Sequence, residues 1–156
     1  MSYFKRLLTA PTFDDEVKTQ QAYMLHVIVW TLICVPIPFV IYSFFRTPEA
    51  IVRTLIQAGF GETVNVILLI MLRRGFVRAA SILQVSAFWL FFTATALTGT
   101  GVHGEAYLVG YALVITIAGI LMGGNGALIF TFLSLLAGGL MVYSETQGLL
   151  NPDLHD

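Results

Sequence analysis

Glu62 is the residue whose chemistry is hardest to reconcile with its surroundings. It lies within a long apolar run, flanked by Gly59, Gly61 and Asn65, with Gln57 one and a half turns earlier. A carboxylate at mid-bilayer costs several kcal/mol even when water or protonation relieves part of the penalty. It should therefore face protein rather than acyl chains. There it could serve as a proton-sensitive switch, a ligand contact or a subunit contact. The plainer reading is a hydrogen bond to a neighbouring helix, with Gln84 or Ser81 as partner. No basic residue lies at matching depth, so an intramembrane ion pair is not expected. Pro36 and Pro38 form a second candidate feature. Each removes a backbone donor and crowds the preceding turn, and in lipid the freed carbonyls need other partners. The outcome is either a hinge or ligand niche, or a static bend. His103 and Glu105 form a third, as a weak metal or proton site or as a solvated loop.

Other chemistries find no support. His26, His103 and His155 are scattered, so no pair of imidazoles is offered to a haem. The single cysteine, Cys34, sits inside an apolar run and has no metal-site spacing. No lysine falls within an apolar run, which excludes a retinal Schiff base. There is no phosphate-binding glycine loop, nucleophile elbow or kinase signature. The eight Lys and Arg residues fall in short clusters and the net charge is -1, so no nucleic-acid partner is expected. No catalytic set, no cofactor and no metal centre are predicted.

The elements that carry these residues are membrane helices. Hydrophobic residues make up 57% of the chain and charged residues only 11%, against about 25% charged in ordinary globular domains. A spanning helix needs about 20 mostly apolar residues. Five segments qualify: about Ala22 to Phe45, Ile51 to Leu72, Val77 to Leu97, Ala106 to Met122 and Ala127 to Tyr143. The runs are continuous rather than alternating, which rules against a β-barrel. Gly123, Gly124, Asn125 and Gly126 interrupt the last long run as a tight turn, making its two halves an antiparallel hairpin. Gly119 with Gly123, and Ser134 with Gly138, have the four-residue spacing that lets helix backbones approach closely.

Lys5, Arg6, Lys18, Arg73, Arg74 and Arg78 fall on one side of this arrangement, and Arg46 and Arg53 on the other. The positive-inside rule then puts the N-terminus in the cytoplasm and, with five spans, the C-terminus outside. Residues 1–21 form a juxtamembrane segment, 22–145 the transmembrane domain and 146–156 a tail. Tyr3, Phe4, Leu7 and Leu8 alternate with Lys5 and Arg6 as in a short interfacial helix. Thr12, followed by Asp15 and Glu16, reads as a helix start. The first twenty residues hold Asp14, Asp15 and Glu16 and no cleavable apolar core, so no signal peptide is predicted.

Several segments, in order and spacing, resemble the membrane-embedded N-terminal region of bacterial multi-pass sensor histidine kinases of the Chloroflexi type. They are Ala10-Pro11-Thr12-Phe13-Asp14-Asp15-Glu16-Val17-Lys18-Thr19, Arg73-Arg74-Gly75-Phe76-Val77-Arg78-Ala79-Ala80-Ser81, Trp89 with Thr98-Gly99, Ala118 to Gly123 with Gly126-Ala127, and Glu145 to Pro152. The resemblance covers nearly all of the chain. It implies a sensory input role in the inner membrane, and it assigns no ligand residues. Such kinases usually have one more span before their cytoplasmic signalling domains, whereas this chain stops at Asp156 without a phosphoacceptor or ATP-binding region. The expectation is an all-α polytopic helix bundle acting as a non-catalytic input module. An accessory or assembly subunit of a larger respiratory or photosynthetic complex is the alternative, and a small channel or transporter using Glu62 a third reading. Its expected partners are the bilayer and other membrane subunits or a second copy.

Overall fold

A computed structural model describes residues 9–46, 51–98 and 101–147. The interfacial segment around Lys5 and Arg6, and the tail with His155, lie outside the described residues, as do the side chains of Gln57 and Glu105. The described chain is helical, with no strand among these residues. Its elements are α1 (Glu16–Cys34), α2 (Pro36–Arg46), α3 (Ile51–Arg73), α4 (Val77–Thr98), a short 3-10 turn (Gly101–His103) and α5 (Glu105–Thr146). Four stretches are long and apolar enough to cross a membrane: Glu16–Arg46, Thr54–Arg73, Val77–Leu97 and Tyr107–Thr146. The chain divides into two compact units, Met1–Ala80 and Ser81–Asp156.

The first unit begins with a helix cap. Asp15, not Thr12, is the N-cap: its Oδ1 accepts from the backbone N–H of Val17 (2.9 Å) and Lys18 (3.3 Å). The reason is that the turn upstream is already closed. The Thr19 hydroxyl accepts from the Phe13 N–H and donates to the Phe13 carbonyl, both at 2.9 Å, so the chain turns at Phe13 and the helix starts beyond it. A carboxylate at this position also opposes the helix dipole.

The two prolines interrupt α-helical hydrogen bonding, but the residue before Pro36 stays helical. Bonding stops at Cys34 and resumes from Pro36, yet Val35 keeps right-handed helical torsions (φ -64°, ψ -40°) and its N–H still reaches the Thr31 carbonyl at 2.9 Å. Proline lacks the donor but has the helical φ.

The α3–α4 connection is a Schellman turn. The Phe76 N–H reaches the Met71 carbonyl (3.0 Å), the Gly75 N–H reaches the Leu72 carbonyl (3.1 Å), and Gly75 takes φ +82°. Phe13 closes over it, its ring carbon only 3.3 Å from where a Gly75 Cβ would stand. The start of α1 and the end of α3 therefore meet, which makes these two helices antiparallel neighbours.

The second unit turns on Gly123. A straight 42-residue helix would be about 63 Å long, roughly twice the hydrocarbon thickness of a bilayer. Gly123 instead takes φ 76°, ψ -172°, a conformation closed to side-chain-bearing residues. Residues on either side of it then meet. Ala127 Cβ lies 3.6 Å from the Cβ position of Gly119, Tyr107 lies against Gly138, and Glu145 lies against Gly101. These pairs are all centred close to Gly123, so α5 is a helical hairpin. Gly123 itself has nothing within 4 Å of its Cβ position. It makes the turn and is not part of the packing face on which its spacing from Gly119 would put it.

Both units bury narrow stripes and leave large apolar side chains outward. Leu25 and Val29 in the first unit, and Val114 and Leu121 in the second, are fully buried, whereas Phe60, Leu108, Leu128 and Phe132 are exposed. Water would penalise that outer surface, but acyl chains would not.

Candidate functional site

On α3 the buried residues Thr54, Asn65, Leu68 and Leu72 recur at helical spacing and define one stripe. Ala58, Gly61 and Glu62 fall on the same stripe and are half-buried. Glu62 is thus half-buried and shares the side of α3 that carries the buried residues. Thr63 lies on the outer side and returns its hydroxyl to the Gly59 carbonyl at 2.8 Å, which satisfies it within the helix.

A partner to this stripe is not legible in the sequence. His26 of α1 is only 5% exposed, and its ring meets Trp30 edge-on at 6.2 Å. The Trp30 Nε1 is buried without a hydrogen-bond partner among the described residues. Because Lys18 and Phe13 anchor the start of α1 at Gly75, depth can be counted from that turn. His26 is about 12 Å along α1 from Lys18, and Asn65 about 15 Å along α3 from Gly75. The imidazole and the carboxamide therefore occupy similar levels on neighbouring helices, with Glu62 about one turn beyond. Spacing in sequence could not reveal this, because the two residues are on different helices. The available signal was a lone imidazole in an apolar run.

The second unit holds a different kind of cluster. Gln84, 2% exposed, and Ser81, 1% exposed, are buried on α4, and the Gln84 Oε1 has no partner among the described residues. Further along α4, the Thr93 hydroxyl shares a 2.7 Å hydrogen bond with the Tyr111 hydroxyl. Trp89 stacks on Tyr111 at 6.5 Å and 11°, and Tyr107 meets Tyr111 edge-on at 4.9 Å. Tyr107 reaches Gly138 because that glycine leaves room for its ring. One turn from Gly138, Ser134 is buried, and its Oγ, like the Trp89 Nε1, lacks a partner among the described residues. Gly119 lies against Ala127, and Gly138 lies under Tyr107.

At the mouth of the hairpin, His103 pairs with Glu145 (Nε2 to Oε2, 3.8 Å). The His103 side chain is largely exposed and that of Glu145 largely covered. No group of three or more His, Cys, Asp or Glu side chains suited to a metal ion occurs among the described residues. The polar groups inside the helices are therefore imidazole, carboxylate and carboxamide in the first unit, and hydroxyl, indole and carboxamide in the second, where the imidazole and carboxylate of His103 and Glu145 stand only at the mouth of the hairpin. The former can exchange protons. Within its helices, the latter set offers neutral hydrogen bonds and ring stacking.

No protein-family model, curated protein or solved structure matches this chain.

Proposed function

We propose that this chain is a non-catalytic membrane input module of the kind found in multi-pass sensor histidine kinases. The observation that carries the reading is the contact of Phe13 with Gly75. It joins two of the segments on which the resemblance rests, Ala10 to Thr19 and Arg73 to Ser81. An input module must pass a change among its helices to a point outside the membrane. A clasp between the first helix and the α3–α4 turn is a suitable element, because a shift of either helix has to move the other. The half-buried Glu62 and the buried His26 and Asn65 are the groups through which protonation or a polar ligand would bias that arrangement.

Within this reading the chain crosses the membrane five times, with α5 counted as two crossings. Its N-terminus is cytoplasmic and its C-terminus outside. The reversal at Gly123 supports the count. The gathering of Lys18, Arg73, Arg74 and Arg78 at one end of the first unit supports the orientation. Labelling single cysteines with a membrane-impermeant maleimide in a Cys34→Ser background tests it. Position 75 should be protected in intact cells and position 147 labelled.

The functional reading is tested by the DNA that follows codon 156. An in-frame further span leading to a kinase supports the input role. A stop codon, with copurification of larger membrane subunits, would instead support an accessory or assembly subunit. That alternative draws on the largely uncharged character of the second unit, whose outer face suits packing against other helices.

A further inference from the structure

We propose that the Gly75 end of the first unit is a binding site for the headgroup of an anionic phospholipid, held by Lys18, Arg74 and Arg78. Three observations bring the cations together. Arg74 is the residue before the Gly75 turn, and Arg78 stands in the first turn of α4. Lys18 arrives from α1: its Nζ lies 3.8 Å from the Cβ position of Gly75 and 4.6 Å above the Phe13 ring. The cation–π contact and the Thr19–Phe13 hydrogen bonds hold that ammonium at the turn. Arg73 contributes further positive charge from the last turn of α3.

The acids on the same segment do not cancel this cluster. Asp15 uses its carboxylate to cap α1. Asp14 and Glu16 are exposed, leaving four cations to face two further carboxylates. Arg74 and Arg78 are both exposed, and the apolar side chains of Val17 and Phe76 are exposed at the same end, at 68% and 59%. Cations beside outward apolar groups, at the end of two helices long enough to span a bilayer, match a lipid: phosphate against the guanidinium groups, acyl chain against the aromatic ring. A soluble phosphate would use only the first half of that surface. The site requires only the membrane location and does not depend on the input role.

Native mass spectrometry of the full-length protein in a mild detergent, titrated with phosphatidylglycerol and with phosphatidylcholine, tests the site. Phosphatidylglycerol should bind preferentially and be lost as sodium chloride is raised from about 0.05 to 0.5 M. R74Q/R78Q should weaken it roughly 30-fold, or about five-fold for each cation removed. R46Q, at the far end of α2, should change nothing. If the double variant does not fold, the lipid preference and its salt dependence in the unaltered protein still decide the matter. Equal binding of the two lipids, or full retention in R74Q/R78Q, would overturn the proposal. Displacement by millimolar inorganic phosphate would overturn the choice of a lipid.

Discussion

The two units each contain a long apolar stretch that is interrupted, and the two interruptions do opposite things. In the first, Pro36 removes a hydrogen bond, but Val35 retains helical torsions and the chain continues from α1 into α2. In the second, Gly123 has a hydrogen-bond donor to offer yet adopts φ 76°, and the chain doubles back. Proline is the stronger helix breaker on propensity scales. In this chain it is the milder disruption, because its fixed φ is the helical one and the lost bond can be tolerated. Glycine reverses the chain because it can enter a region of φ/ψ space that other residues avoid. The residue that breaks a hydrogen bond and the residue that redirects a backbone are thus different tools.

The sharpest way to break this comparison is Gly123→Val. A β-branched residue at this positive φ should cost about 2 kcal/mol or more and produce the largest fall in the unfolding midpoint in detergent. Gly124→Ala, next to it but helical and with open space around it, should be neutral or stabilising by about 0.5–1 kcal/mol. If both variants unfold alike, the turn does not depend on the torsion of Gly123.

Packing along the hairpin comes next. Gly138→Val places methyl groups where Tyr107 lies and should cost about 1–3 kcal/mol. Gly139→Ala meets nothing within 4 Å and should leave the midpoint unchanged. A smaller loss is expected from Thr93→Val, which removes the hydroxyl bonded to Tyr111. Hydrogen bonds between membrane helices average about 0.6 kcal/mol, and thermal unfolding paired with Tyr111→Phe in a double-mutant cycle would measure it. The smallest effect belongs to Pro36→Ala. Val35 is already helical, so restoring the donor should stabilise by at most about 1 kcal/mol. A large loss of stability would show that the proline holds a bend on which the first unit depends.

The polar sites were legible to unequal degrees. Glu62 and Asn65 announce themselves as polar residues three apart in an apolar run, and the helical period alone puts them on one stripe with Leu68 and Leu72. The placement of His26 at the level of Asn65 follows from how α1 and α3 are anchored at Gly75, and periodicity within either helix contains no such information. Nor does it reveal that His103 pairs with Glu145, at the far end of α5. The Tyr107, Tyr111, Thr93 and Trp89 cluster reads in sequence as ordinary apolar and aromatic filler. Only the register between α4 and α5 brings the two hydroxyls within 2.7 Å.

Composition and run length by themselves determined that this is a helical protein with stretches able to cross a membrane, because hydropathy acts residue by residue and needs no partner. They also marked the sites of interruption, since proline and glycine alter the backbone locally. The glycine run from Gly123 to Gly126 was itself legible as the turn of a hairpin. Tertiary structure alone decided that Phe13 closes over Gly75 and brings Lys18 to the turn beside Arg74 and Arg78, and that the Thr93 and Tyr111 hydroxyls meet. Those outcomes depend on contacts between residues far apart in sequence, whose energies exist only once the helices have met.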